Sequence, residues 1–95
     1  MTEAVAEIRD AVSSALRQRG VVHASVFGSV ARGEEQPGSD VDFLVEFEQG
    51  RTLLDLVGLR LELSELLGRE VDVVTPAALH PRLKERILAE LVPIL

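Results

Sequence analysis

The sequence predicts a small α/β (α+β) domain in which a mixed three-stranded sheet is flanked by helices. Segments with apolar residues three or four positions apart alternate with short runs rich in β-branched residues, in the order α-β-β-α-β-α. The long helical connection between the second and third strands suits a right-handed crossover that joins parallel strands. The shorter loop between the first and second strands permits an antiparallel pair.

Size and composition set limits on the function. Residues 1–95 suffice for a single domain, and 46% of them are apolar. No cysteine is present, which excludes a disulfide framework, a thiolate zinc site and a cysteine nucleophile. The formal net charge of −6 argues against direct binding of nucleic acid, because such proteins normally carry a basic face.

The sequence also predicts a protein that does not enter a membrane. No apolar run approaches the ~18 residues that a membrane span needs, and the amino terminus lacks a basic stretch before an apolar one. Together with the absence of cysteine, these features favour a cytoplasmic location.

The first half of the chain supplies one helix and two strands. Residues 3–19 fit an amphipathic helix, for which Thr2 is the N-cap and Gly20 the stop. Residues 21–27 and 41–47 are short and rich in β-branched or aromatic residues, as strands are. Alternate residues of the second strand face opposite sides of the sheet. We expect the core side to carry Val41, Phe43, Val45 and Phe47, and the other side to carry Asp40, Asp42, Leu44 and Glu46.

The second half begins with a leucine-rich helix. Thr52 opens this helix over residues 52–67, and Asp55 three positions later completes a variant of the capping box. Gly68 ends the helix. Its wide apolar surface is either core or a docking surface for another protein.

The third strand and the last helix follow. Residues 70–74 are short and apolar apart from Asp72, so they fit a strand. Pro81 suits the first turn of a helix that Pro93 stops, and whose apolar face we expect to consist of Leu83, Ile87, Leu88 and Leu91. The tail, residues 92–95, is apolar and unanchored by charge, so it is either core or a second candidate docking surface.

The chemistry of the chain is concentrated in residues 26–45. Gly28-Ser29 is followed after ten residues by Asp40-Val41-Asp42. Two carboxylates two positions apart on a strand share a face, with Cα atoms roughly 6.5–7 Å apart, and this arrangement suits a divalent cation. A Gly-Ser turn suits phosphate, because the glycine lets backbone N–H groups approach it and the serine adds a hydroxyl donor.

A third carboxylate, Asp72, is predicted to reach the same edge of the sheet. Three carboxylates at one edge repel one another unless they bind cations. We therefore expect Mg²⁺ shared with a nucleoside triphosphate, and two metal ions in the full site. Asp72 either completes the second metal site or accepts the proton of an attacking hydroxyl.

Other polar residues have competing interpretations. Arg32 either reaches a phosphate or forms a surface ion pair with Glu34 or Glu35. His23 is expected at a sheet edge or in solvent, and Ser29 has no well-placed base that would make it a nucleophile. A lone Asp-x-Asp or Gly-Ser is weak evidence for a site, so the prediction depends on their combination with Asp72.

These motifs resemble the signature of the minimal nucleotidyltransferases of the DNA-polymerase-β-like superfamily. The similar segments are Phe-Gly-Ser-Val-Ala-Arg-Gly (27–33), Gly-Ser-Asp-Val-Asp-Phe-Leu-Val (38–45), Gly-Arg-Glu-Val-Asp-Val-Val-Thr-Pro (68–76) and His-Pro-Arg-Leu-Lys-Glu-Arg-Ile-Leu (80–88). The resemblance covers residues 21–92 and implies a nucleotidyltransferase fold that binds ATP and Mg²⁺. It implies that Asp40, Asp42 and Asp72 are the metal-binding and catalytic carboxylates, and that Gly28 and Ser29 form the phosphate turn. Beside the resemblance, we expect Arg32 and Ser39 to bind the nucleotide as well.

The resemblance also implies a biological role. Family members of this length are similar to antitoxins that transfer AMP to a tyrosine hydroxyl of a HEPN-domain ribonuclease toxin. The sequence offers no obvious second domain for an acceptor, so we expect a partner to supply it in a hetero-oligomer. A homodimer is also compatible with the sequence.

Two alternatives stay open at this stage. The chain neutralises its partner by binding alone, with the site vestigial, or it acts on a small molecule such as an aminoglycoside with the help of a separate acceptor domain. Substitution of Asp40 and Asp42 separates the first alternative from catalysis. Activity on a small compound without a protein partner would favour the second.

Overall fold

A computed structural model describes residues 1–95 and confirms the predicted order α-β-β-α-β-α, to which it adds a four-residue helix after the first strand and a short strand at the end. The elements are α1 (Glu3–Gln18), β1 (Val21–Phe27), α2 (Ser29–Arg32), β2 (Val41–Phe47), α3 (Leu53–Leu67), β3 (Val71–Val74), a 3-10 turn (Pro76–Ala78), α4 (Pro81–Ala89) and β4 (Val92–Pro93). The strands form one sheet in the order β3-β2-β1-β4. None of the helices has the length and apolar content that a membrane span requires.

Local side-chain chemistry sets the ends of the two longest helices. The Thr2 hydroxyl accepts a hydrogen bond from the Val5 amide at 3.2 Å and caps α1. The predicted capping box of α3 is confirmed, since the Asp55 carboxylate accepts from the Thr52 amide at 2.8 Å. This hydrogen bond lowers the pKa of Asp55 below its ordinary value. Gly68 ends α3 in the left-handed conformation, at φ +63°.

The sheet has the predicted mixed pairing. β1 and β2 are antiparallel, with Phe27 opposite Asp42, whereas β2 and β3 are parallel, with Asp42 opposite Asp72. The α3 connection is the crossover that a parallel pair requires. As a result, the end of β1 and the starts of β2 and β3 meet at one edge of the sheet, which we call the site edge.

The main core lies between the sheet and the helices α1 and α3. Its cluster of 17 buried residues includes Phe43 and Val45 of β2, so their predicted packing role is confirmed. Leu44 was predicted on the face opposite the core, with Asp42, yet it is only 7% exposed. The face of β2 that carries Asp42 is therefore covered along part of its length.

The predicted three-stranded sheet is wrong, because the tail forms a fourth strand. The Ile94 amide donates to the Ala24 carbonyl at 2.9 Å, and the Ala24 amide donates to the Leu95 carbonyl at 3.3 Å. Ile94 is 6% exposed and belongs to the main core. A two-residue strand that contains Pro93 lacks a recognisable strand pattern, yet an edge strand tolerates proline. The tail is thus core and not a docking surface.

The apolar faces of α3 and α4 are less buried than their patterns predict. In α3 only Leu59 and Leu63 are fully buried, while Leu54 is 83% exposed. In α4 no residue is buried, and the predicted apolar face is at least partly open to solvent. The chain therefore carries apolar helix surface that its own core does not cover.

The tail provides a direct test of the fourth strand. We expect Ile94→Ala to lower the free energy of unfolding by about 2–5 kcal/mol, because it removes a buried side chain from the main core. Leu88→Ala is the matched control on the half-exposed face of α4, with an expected loss of about 1 kcal/mol or less. Chemical denaturation of both variants measures the difference. Equal effects would contradict the anchored tail.

Candidate active site

Strand register brings the predicted glycine turn and two of the predicted carboxylates together at the site edge. Gly28 directly follows Phe27, whose pairing partner across the antiparallel pair is Asp42. Asp42 is in turn the partner of Asp72 across the parallel pair. Because neighbouring strands lie about 4.8 Å apart, these residues occupy adjacent positions along one edge.

Gly28 approaches Asp42 so closely that only glycine fits. Its backbone has φ +76° and ψ −152°, a conformation that residues other than glycine rarely adopt. A Cβ atom built on Gly28 would collide with the Oδ2 atom of Asp42. The turn at Gly28 therefore places the backbone in direct contact with a carboxylate. Ser29, the next residue, is the first residue of α2.

The carboxylates at the site edge disfavour one another's charge. Partial burial raises the pKa of Asp42 above its ordinary value, and the negative charges of Asp72 and Asp40 raise it further. The positive charge of Arg32 opposes this effect, and Glu90 adds to it. The cluster thus contains excess negative charge in a partly desolvated place, which a bound cation would neutralise.

The donor set fits Mg²⁺ shared with a ligand better than a closed metal cage. Carboxylate oxygens are the ligands that Mg²⁺ prefers, and it is usually held by one or two carboxylates plus substrate phosphates. No group of three or more His, Cys, Asp or Glu side chains converges closely enough to hold a metal by itself. The donor set is compatible with Mg²⁺, and metal binding by Asp40, Asp42 and Asp72 and the two-metal site stay predictions.

The loop before Asp40 is held by Arg69, which lies between the end of α3 and the start of β3. Arg69 donates from Nε to the Ser39 carbonyl at 2.8 Å and pairs through Nη1 with Glu35 at 3.2 Å. The Arg69 carbonyl in turn accepts from the Ser64 hydroxyl at 2.7 Å. Arg69 thus fixes the backbone directly before Asp40 and links it to the end of α3.

Ser39 has its polar groups engaged inside this loop. Its hydroxyl accepts a hydrogen bond from the Gln36 amide at 2.7 Å, and its own amide donates to the Gln36 carbonyl at 2.9 Å. These bonds close a tight turn that contains Gly38, at φ +80°. The predicted contact between Ser39 and nucleotide stays a prediction, and the structure gives the side chain a role in shaping the loop.

Arg32 makes two ion pairs at the site edge. Its Nε contacts Glu34 at 3.0 Å, as one of the alternatives predicted, and its Nη1 contacts Glu90 at 3.1 Å. Glu90 also accepts a hydrogen bond from the Gly28 amide at 3.2 Å. The predicted role of Arg32 in phosphate binding stays a prediction, while its guanidinium already lies next to the glycine turn.

Sequence reasoning missed two residues of the site, Arg69 and Glu90. Arg69 could have been predicted from the sequence. It lies between Gly68, which ends α3, and the start of β3, so it had to lie near the site edge. Glu90 could not, since it is 62 positions from Gly28 and reaches it only because β4 folds the end of α4 back onto β1. His23 is exposed, as expected.

The site is an open edge of the sheet and not a cavity. Two of the three clefts on the surface reach Arg69, but none includes Asp40, Asp42 or Asp72. Asp40 and Asp72 are exposed, while Asp42 is partly buried. A large acceptor can therefore approach the carboxylates from outside the chain.

The raised pKa of Asp42 predicts a stability gain when its charge is removed. Because the pKa of Asp42 is higher in the folded state than in the unfolded chain, ionisation of this carboxyl lowers the free energy of unfolding. The loss grows as pH rises through the folded-state pKa. We expect Asp42→Asn to raise the melting temperature of the metal-free protein at pH 7, and the gain to vanish below the ordinary aspartate pKa.

Thermal unfolding in EDTA across pH measures this gain. Glu46→Gln on the same strand is the control, since Glu46 is exposed. A melting temperature that falls for Asp42→Asn at pH 7 would contradict repulsion within the cluster.

Comparison with known proteins places this geometry in a family. The model of the nucleotidyltransferase domain family matches residues 5–94. A Methanocaldococcus jannaschii protein, provisionally named a protein adenylyltransferase, is 53% identical over 89 residues, which cover 94% of this chain and 96% of that protein. The protein adenylyltransferase MntA of Thermococcus cleftensis is 41% identical over 91 residues, which cover 95% and 92%.

Solved structures agree with the fold. One provisionally identified as a minimal nucleotidyltransferase has a TM-score of 0.82 and 50% identity, over 96% of this chain and 93% of its own. The complex of a tri-AMPylated HEPN toxin with its MNT antitoxin from Shewanella oneidensis gives a TM-score of 0.72 over 95% and 71%, at 16% identity, and so supports the fold alone. From the family match and the close relatives together, this chain belongs to the nucleotidyltransferase family as a minimal member of the protein adenylyltransferase type.

Proposed function

We propose that this chain is an antitoxin that transfers AMP from ATP to a tyrosine hydroxyl of a HEPN-domain ribonuclease toxin. The observation that carries the proposal is the alignment of Gly28, Asp42 and Asp72 along one open edge. The relatives named as protein adenylyltransferases support a protein acceptor. The fold shared with an antitoxin in complex with a HEPN toxin supports the choice of partner.

The residues of the site edge divide the work of binding the nucleotide. Gly28 offers a backbone N–H, which Glu90 accepts in this structure, and Ser29 adds a hydroxyl for a phosphate oxygen. Asp40 and Asp42 would hold Mg²⁺, which would neutralise charge on the phosphates. Arg69 keeps Asp40 in place through the Ser39 carbonyl.

The transfer itself exchanges one phosphorus–oxygen bond for another. The tyrosine oxygen bonds to the α-phosphorus of ATP, and the bond from that phosphorus to the oxygen bridging to the β-phosphate breaks. Pyrophosphate leaves with the electron pair of that bond. The phenolic proton, whose ordinary pKa is about 10, passes to a carboxylate. Asp72 is our candidate for this acceptor, because it is exposed beside Asp42.

Removal of a metal-binding carboxylate tests the catalytic proposal. We expect Asp42→Asn to lower AMP transfer by at least about 100-fold, because it removes a charge that holds the metal against the phosphates. Mass spectrometry of the partner toxin, incubated with ATP and Mg²⁺, counts the AMP groups added. Glu46→Gln on the same strand should transfer at the wild-type rate. Unchanged toxin neutralisation by a transfer-deficient Asp42→Asn protein would contradict an enzymatic antitoxin.

Neutralisation by binding alone is the second candidate, and an exposed apolar surface on α3 favours it. This α3 patch consists of Leu53, Leu54, Val57 and Leu61, which are 47–83% exposed. Since α3 begins after the far end of β2, the start of the patch lies away from the site edge. A partner held there could be blocked without entering the site. This candidate would be favoured if Leu54→Lys abolished neutralisation of the toxin while Asp42→Asn preserved it. The small-molecule alternative would be favoured by transfer of AMP to a small hydroxyl compound in the absence of any protein partner.

Arg69 provides a test of how the loop positions Asp40. We expect Arg69→Gln to raise the Mg²⁺ concentration needed for half-maximal transfer by about 10–100-fold, because the backbone before Asp40 loses its anchor. Saturating Mg²⁺ should restore most of the rate. Arg60→Gln on the exposed surface of α3 is the control. A fall in the maximal rate with an unchanged Mg²⁺ requirement would contradict a positioning role.

A further inference from the structure

Glu90 places a carboxylate on the glycine turn from the opposite end of the chain. This residue caps the C-terminal end of α4, and its side chain is 20% exposed. One carboxylate oxygen accepts from the Gly28 amide at 3.2 Å and from Arg32 Nη1 at 3.3 Å. The other oxygen contacts the same Arg32 nitrogen at 3.1 Å. The turn is therefore already bound to an anion that belongs to the chain itself.

The same donors are the ones that a nucleotide phosphate would use. Carboxylate and phosphate oxygens both accept strong, charge-assisted hydrogen bonds from backbone N–H and guanidinium groups. The Gly28 amide has a single hydrogen, so a phosphate can receive it fully only when Glu90 gives it up. A carboxylate that stayed in place would also repel the negative phosphates at close range.

The packing of α4 makes displacement of Glu90 inexpensive. No residue of α4 is buried, and the ends of the helix are held by the 3-10 turn region before it and by β4 after it. Moving the Glu90 side chain, or the last turn of α4, therefore leaves the main core intact. Arg32 would retain Glu34 as a partner at 3.0 Å.

We propose that Glu90 is an internal competitor of the nucleotide, a carboxylate that occupies the phosphate-binding groups of Gly28 and Arg32 until ATP displaces it. The inference rests on the proposed function, since it takes the Gly28 turn as the place where phosphate binds. In this proposal, the position of the C-terminal end of α4 controls the affinity for the nucleotide. Anything that draws α4 away from the turn would strengthen nucleotide binding.

Binding measurements on a variant without the charge test this competition. We expect Glu90→Gln to lower the Kd for ATP by at least about tenfold, because the repulsion and the competing acceptor charge are both reduced. Isothermal titration with ATP is carried out both in EDTA and in Mg²⁺. The gain should appear in EDTA too, because it originates at the turn and not at the metal-binding carboxylates. Glu90→Ala should show a gain of the same sign.

Matched controls separate a local effect from a change in overall charge. Glu85→Gln on the exposed side of the same helix removes one negative charge away from the turn and should leave the Kd within about twofold of wild type. Thermal unfolding shows that each variant is folded. Loss of ATP affinity in Glu90→Gln, or an unchanged Kd, would overturn the competition, and a loss confined to Mg²⁺ would make Glu90 a metal ligand instead.

The outcomes also distinguish this inference from the function on which it rests. Wild-type binding of ATP with no change in Glu90→Gln overturns the role of Glu90 and leaves the proposed function standing. Binding by Glu90→Gln but not by wild type supports complete occlusion of the turn by Glu90. Absence of ATP binding in wild type and variants alike overturns both.

Discussion

The contact between Gly28 and Asp42 is the constraint on which the site depends. Antiparallel pairing of β1 with β2 places Phe27 opposite Asp42, so the next residue must turn sharply beside a carboxylate. Only a residue without Cβ can do this, since any side chain would collide with the Asp42 oxygen. The same contact puts a backbone N–H donor next to a carboxylate that is predicted to bind metal. In the proposed function, this donor would bind a phosphate beside a cation held by Asp42.

Electrostatics explains why this arrangement requires a ligand. The metal-free cluster holds Asp42 in a partly buried place among like charges, and this raises its pKa. Arg32 compensates only in part, because it is itself paired with Glu34 and Glu90. A bound cation, with an anion beside it, would relieve the repulsion between the carboxylates of the site. Its openness leaves the remaining side available to an acceptor.

Local and topological signals made most of the fold and the core of the site predictable. The capping box at Thr52 and the alternation in 41–47 are local, and the α3 crossover fixes the parallel pair that sets Asp72 beside Asp42. The fourth strand was missed because two residues with a proline show no periodicity, and only burial of Ile94 reveals their role. Glu90 was missed for the same reason, since its place beside Gly28 is created by that strand and by no pattern in the sequence.

The most direct test of the central claim is the Mg²⁺-dependent binding of ATP to wild type and to Gly28→Ala, measured by isothermal titration. Wild type should bind ATP in Mg²⁺, because the proposed function places the phosphates between the turn and the carboxylates predicted to bind metal. Gly28→Ala should remain folded but lose at least about tenfold in affinity, since the added Cβ forces Asp42 aside and distorts the turn. Equal affinity for the two proteins, with unfolding curves that show both to be native, would contradict the claim.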